Sequence, residues 1–179
     1  MRKVYLDRTA GEAISVYIRD AEVIPAGTTV YSISSRCRNA EYDRWQREYG
    51  IRFIFDDMQV EVPFYAVPWA DIFAVDNQGG YLGTVGQMTD MEGDAPVCYF
   101  KDGKCYLIAE CGPDFMEKAT DWRRCLTDYP EVTLYDSREQ AARMLEFVSV
   151  SSCYERGRLA GGHAHTESIG KALGVHFEL

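Results

Sequence analysis

The dipeptide Asp102-Gly103 constrains this chain more than any other pair of residues. It separates Val97-Cys98-Tyr99-Phe100 from Cys105-Tyr106-Leu107-Ile108-Ala109, two apolar and aromatic runs. Asp-Gly at the two central positions favours a type I′ turn, whose twist matches that of the flanking strands. A turn this tight fixes the register. Cys98 then lies across from Leu107, and Phe100 across from Cys105, on one side of the hairpin. Tyr99 lies across from Tyr106 on the other. Cys98 and Cys105 are diagonal neighbours in this register, ~7–8 Å apart at Cα, too far for a comfortable disulfide.

The hairpin sits in a longer stretch, residues 63–126. Phe64, Tyr65, Val67, Trp69, Ile72, Phe73 and Val75 come first, then a turn at Asp76-Asn77-Gln78-Gly79-Gly80, then Tyr81, Leu82 and Val85. Residues 71–75 are apolar on both faces, which predicts a central strand with cover on each side. The glycines 79, 80, 83 and 86 are read as turn and bulge residues. The chain returns to a strand after them, so they offer no helix N-terminus to a phosphate. After the hairpin, Asp114 and Glu117 have capping-box spacing, and Phe115, Ala119, Trp122 and Leu126 recur at helical spacing. The stretch predicts a β-meander covered by a helix.

With 46% AVILMFWYC and 13% aromatic residues, the 179-residue chain can bury a core of its own. No window approaches the ~18 consecutive apolar residues of a membrane span. Charge within the first eight residues argues against a signal peptide, so a cytoplasmic protein is expected. The six cysteines, 37, 98, 105, 111, 125 and 153, form no CxxC pair and read as reduced thiols packed as small apolar groups. The formal net charge is −9. The single basic cluster, Arg36, Arg38, Arg44 and Arg47, is diluted by Glu41, Asp43 and Glu48. That argues against a nucleic-acid partner. An acidic surface suits solubility or, where focused, a basic protein.

Ahead of the meander, Thr9-Ala10-Gly11-Glu12 is a capping-box pattern. Ala13, Ile14, Tyr17, Ile18 and Ala21 behind it predict a short helix ended by Pro25-Ala26-Gly27. Residues 28–33 read as a strand. Asn39 caps a predicted helix over 40–49 with Tyr42, Trp45 and Tyr49 on one face and Gly50 as its stop. Residues 51–55 follow as a strand, Asp56-Asp57 as a turn, and Met58, Val60 and Val62 as a strand wet on one side. Pro63 and Pro68 confine their segment to edge or bulge geometry. Beyond the meander, residues 132–135 predict a strand. Asp136-Ser137-Arg138-Glu139 opens a helix with Ala141, Ala142, Leu145 and Val148 on its apolar side. Residues 149–179 read as a C-terminal extension: a mobile Gly- and Arg-containing loop over 156–162, a short helix over 166–173, and an edge strand at the end. The expected architecture is α+β, an antiparallel meander sheet flanked by helices over residues 1–148 with a short α/β extension.

Few motifs carry chemistry. His163 and His165 flank Ala164, a spacing that metal sites use, but no carboxylate or Cys stands beside them at ligand spacing. They make a small metal-binding protein or enzyme, with Cys153 or Cys111, the alternative reading. Cys111 precedes a helix, which would lower a thiol pKa, yet no His base is near in sequence. Asp90, Glu92 and Asp94 are spaced like the start of a calcium loop, but position 101 is Lys where the bidentate acid belongs. They are read as an exposed acidic loop. Phe64, Tyr65 and Trp69 are either a core strand or an aromatic recognition patch. No cofactor is implied.

The order of elements over residues 63–126 resembles the SUKH superfamily of bacterial immunity proteins and fungal cell-wall-synthesis regulators. The residues that carry the likeness are Phe73-Ala74-Val75-Asp76 with Gly79-Gly80-Tyr81, an acidic loop leading to Pro96-Val97-x-Tyr99-Phe100, Ile108-Ala109-Glu110, and Asp114-Phe115-Met116. The family's Leu-Pro step and later Asn-Gly are absent. The resemblance implies a non-enzymatic protein-binding domain whose partner is a toxin-like protein. The acidic charge suggests that this partner is basic. The expected contact residues are then Phe64, Tyr65 and Trp69 as anchors and Asp90, Glu92 and Asp94 as the steering rim.

Overall fold

The computed structural model describes residues 1–10, 15–148 and 177–178. In chain order these form β1 (Arg2–Asp7), β2 (Ser15–Val16), β3 (Ala21–Ala26) and β4 (Thr28–Val30), a 3-10 turn over Ser35–Cys37, and α1 (Ala40–Arg44), which runs on as a π turn over Trp45–Tyr49. Then come β5 (Ile51–Phe53), β6 (Tyr65–Val67), β7 (Ala70–Asp76), β8 (Tyr81–Val85), β9 (Val97–Lys101), β10 (Lys104–Ala109), and α2 (Gly112–Lys118) with a 3-10 continuation over Ala119–Arg124. β11 (Thr127–Asp128), β12 (Thr133–Tyr135), α3 (Arg138–Met144) and β13 (Phe177–Glu178) complete the order. The protein is of the α+β class.

β7 is the axis of the main sheet. All seven of its residues are buried, as a strand covered on both faces requires. β8 pairs antiparallel along one edge. The other edge is shared: β4 runs parallel beside Ala70–Ile72, and β5 antiparallel beside Ala74–Asp76. From β8 the sheet continues through β9, β10 and β11 as consecutive neighbours, the predicted meander. In the β9–β10 hairpin, Cys105 pairs with Phe100, Tyr106 with Tyr99 and Leu107 with Cys98. Asp102 (φ 52°) and Gly103 (φ 73°) both take left-handed conformations, as a type I′ turn demands.

Each face of the sheet carries its own core. Phe73, Leu82, Tyr99 and Ile108 lie on one face under Trp45, Phe115 and Trp122. Ile72, Cys98, Phe100 and Cys105 lie on the other, with Ala66 and Val132. A bulge between Ile72 and Ala74 lets two successive residues, Phe73 and Ala74, serve the helix-side core. The π turn after α1 closes at Gly50, which takes the left-handed conformation (φ 70°). Trp122 is locked by its indole N–H, which donates to the Tyr49 carbonyl at 2.9 Å.

Several elements differ from the sequence expectation, each for a physical reason. The helix expected behind Thr9 is absent from the described residues there: β2 and β3 occupy that stretch, with 11–14 undescribed. β3 pairs in parallel with β1 over six residue pairs, and this tertiary pairing outweighs a helical pattern of weak apolar residues. Thr9 does not cap a helix. Its amide and hydroxyl both donate to Asp7. Met58, Val60 and Val62 form no strand. The latter two are half-buried side chains of an irregular segment laid on the second core. α2 begins at Gly112 with Cys111 as its cap, two residues before Asp114, because Pro113 is well placed in a first turn. The helix then tightens to 3-10, with Asp121 off helical geometry, yet Phe115, Ala119 and Trp122 stay buried. Within α3 only Ala141 is buried and Ala142 is exposed, and the helix ends at Met144, which leaves Val148 beyond it. The loop over 156–162 and the helix over 166–173 lie outside the described residues. β13 pairs antiparallel with β2.

Candidate functional site

A cleft of about 520 Å³ opens where the helix side of the sheet meets the edge formed by β4 and β5. Its floor is aromatic because three elements converge there. Tyr42 and Trp45 come from α1 and its π turn, Phe53 from β5, and Tyr31 from the residue just after β4. Tyr42 and Trp45 each meet Phe53 edge-on, with ring centroids 5.3 Å apart, the geometry that ring quadrupoles favour. Met91 and Met116 also line it, and Thr89 and the exposed Asp90 bring the acidic loop to its rim.

The acidic loop is held at this rim from both ends. At its start, the Thr89 amide donates to the buried Asp71 carboxylate at 2.7 Å, and the Thr89 hydroxyl reaches the Asp71 carbonyl at 3.2 Å. At its end, the Gly112 amide donates to the Gly93 carbonyl at 3.1 Å. Glycine is needed at position 112, since a Cβ there would stand 2.4 Å from the Met91 carbonyl oxygen. Asp90 and Glu92 lie between these anchors and Asp94 just after the second, and all three are exposed. The Glu92 amide donates back to the Asp90 side chain at 2.9 Å, which makes an Asx turn.

The second carboxylate of the cleft, Glu41, is already engaged. It accepts from the Arg44 guanidinium and from the Trp45 indole N–H at 3.2 Å. The bond from Arg44 holds its carboxyl below the usual carboxylate range.

The structure separates the two halves of the contact expected from sequence. The acidic loop stands on the rim of the cleft. Tyr65 and Trp69 are interior residues, 5% and 7% exposed, so neither ring is a surface anchor. Phe64 is half-buried on the second core, stacked on Phe100 at 5.3 Å and edge-on to Tyr81 at 5.7 Å. A Pro-flanked aromatic run reads the same from sequence whether it faces a partner or the core. Trp69 does serve the loop indirectly. Its indole N–H donates to the Thr29 hydroxyl at 2.7 Å, which donates to Asp71 at 2.6 Å, the residue that holds Thr89. The rings that do line the cleft, Tyr31, Tyr42, Trp45 and Phe53, were not legible as a site, because they come from three separate parts of the chain. Met88 and Met91 flanking the first acid were the available signal.

No other chemical constellation appears among the described residues. No group of three or more His, Cys, Asp or Glu is placed to hold a metal ion among them; His163, His165 and Cys153 lie outside the described residues. Cys37, Cys98, Cys105, Cys111 and Cys125 are free thiols. Contact with Cys105, then burial, pushes the Cys98 thiol up, away from nucleophilic character. No described helix is long and apolar enough to cross a membrane. No family model matches the chain, and no curated protein and no solved structure matches it either.

Proposed function

We propose that this chain is a non-enzymatic protein-binding domain of the immunity type, and that its partner is a basic, toxin-like protein domain. The observation that carries the reading is the position of the acidic loop. Asp90, Glu92 and Asp94 are exposed on a loop pinned at both ends, beside an open cleft with an aromatic floor, on a chain of net charge −9. Carboxylates at a rim steer a cationic partner and raise its association rate more than the final affinity. The α+β meander with covering helices is of the class that the SUKH resemblance implies, and that resemblance supplies the toxin-neutralising form of the proposal. The test uses affinity capture followed by kinetics. A captured partner of positive net charge should associate more slowly at low salt with the Asp90→Asn, Glu92→Gln, Asp94→Asn triple variant, with dissociation little changed. The difference should fade as salt shortens the Debye length from ~10 Å at 0.1 M to ~3 Å at 1 M. Equal association rates for wild type and variant at low salt would defeat the proposal.

A further inference from the structure

We infer that the cleft seats a basic amphipathic segment of the partner: apolar side chains fill the space between Tyr31, Tyr42 and Met116, and flanking lysines or arginines meet the acidic loop. The inference rests on the protein-binding reading and adds the chemistry of the segment that is bound. Three observations lead to it. Seven large hydrophobic residues are exposed among the described residues. Two of them, Tyr31 and Met116, come from distant parts of the chain and line the same cleft. Exposed apolar residues gathered in one place mark an interaction surface, whereas single ones mean little. The wall is also built partly from Met91 and Met116, unbranched side chains that repack around an incoming apolar group.

The charges are divided in a way that fits an amphipathic occupant. Glu41 lies in the cleft but is already held by Arg44 and Trp45, so the centre offers rings and methionines rather than an unused carboxylate. Negative charge is concentrated on the rim, at Asp90 in the lining and at Glu92 and Asp94 beyond it. A purely cationic segment would leave the apolar floor wet, and a purely apolar one would desolvate the rim carboxylates without pairing them. The cleft volume of about 520 Å³ lies within the ~300–1,000 Å³ of clefts that bury a ligand, with room for more than one side chain.

The probe is a synthetic helical peptide with leucine on one face and lysine on the other, titrated against protein carrying labelled methionine methyl groups. The methyl signals of Met91 and Met116, the two methionines that line the cleft, should shift saturably, while those of Met58 and Met144 stay still. Met116→Lys should weaken binding by roughly tenfold, as expected for a charge placed in an apolar anchor site. Asp90→Lys should weaken it as well, and more at low salt. A version with glutamate in place of lysine should not bind. The inference is overturned if the glutamate peptide binds equally well, if oligolysine alone produces the same shifts, or if the responding methyls are Met58 or Met144. It is also overturned if the cleft methyls shift with protein concentration alone and sedimentation shows a dimer, since the occupant is then a second copy of this chain. Saturable binding of the leucine–lysine peptide, together with partner association indifferent to the triple neutralisation, would keep this inference and sink the function proposed above.

Discussion

The two ends of β7 each bury an aspartate, and they hold it in different ways. Asp76 closes the strand into its turn. One carboxylate oxygen accepts the Gln78 and Gly80 amides at 3.0 and 2.6 Å, and the other accepts the Tyr99 hydroxyl at 2.9 Å and the Arg123 guanidinium at 3.2 Å. Asp71, at the opening of the strand, has only neutral donors: the Thr29 hydroxyl on one oxygen and the Thr89 amide on the other. The first end ties a turn, a strand and the 3-10 segment after α2 into one body. The second ends at the root of the acidic loop. A buried charge matched by a cation and several donors serves stability. The same charge given the minimum of neutral donors leaves its neighbourhood easier to open. The contrast assigns the Asp76 end to the scaffold and the Asp71 end to the candidate site.

The largest effect should come from the scaffold end. Trp122 is 1% exposed, 5.1 Å from the Tyr99 ring, with the Arg123 guanidinium 4.3 Å above it. Trp122→Ala should cost about 3–5 kcal/mol, for the cavity and for the indole hydrogen bond to the Tyr49 carbonyl, which keeps only its bond from the Arg123 guanidinium. Urea denaturation reads this directly. A midpoint that hardly moves would mean that the 3-10 segment is not part of the cooperative unit.

Substituting the two aspartates compares the ends on equal terms. In Asp76→Asn the new amide faces the Arg123 guanidinium, donor against donor. The loss should be about 3 kcal/mol, below the upper range for a broken buried pair because the arginine side chain is 37% exposed. In Asp71→Asn the carbonyl can keep the Thr89 amide while the NH2 donates to Thr29, so the loss should be about 1–2 kcal/mol. Hydrogen exchange gives the second reading. Asp71→Asn should speed exchange at Thr89 and across 90–93, and Asp76→Asn should not. Equal losses, or the same exchange pattern in both variants, would mean that the two ends of β7 hold their aspartates alike.

The scaffold was largely legible in sequence and the cleft was not. Asp102-Gly103 set a register that the structure reproduces pair for pair up to Leu107, because a two-residue turn leaves one solution. Asn39 and Gly50 bounded α1 and its π turn for a similar reason, since caps are local chemistry. The N-terminal segment was misread because its pairing is with residues well separated in sequence. β3 is a strand through β1, and β1 in turn meets residues 146–148 through Tyr5. The cleft was missed for the same cause in stronger form. Tyr31, Tyr42, Phe53, Met91 and Met116 come together only after the sheet, α1 and α2 are in place, and no spacing in the chain announces them.

The smallest effect concerns protons at the scaffold end. Burial, and then the hydrogen bond to Asp76, push the Tyr99 phenol above its ordinary range. Burial does the same to Tyr65 and, with the neighbouring Glu131, raises Tyr129 to about 12. In the unfolded chain each phenol ionises near ~10. The folded state therefore keeps protons that the unfolded state releases. Their contribution to stability is complete below about pH 10 and falls as pH rises towards the folded values, by at most ~1.4 kcal/mol per pH unit for each phenol. Tyr99→Phe removes one of the three. At neutral pH it should cost about 1–2 kcal/mol, since Asp76 loses one donor and retains the amides and Arg123. Above pH 10 its stability should fall less steeply than that of wild type, so the two curves converge. Urea midpoints measured between pH 9 and 11.5 give both quantities. Parallel curves would mean that the Tyr99 phenol ionises alike in both states, and Asp76 would then be held by its turn and Arg123 alone.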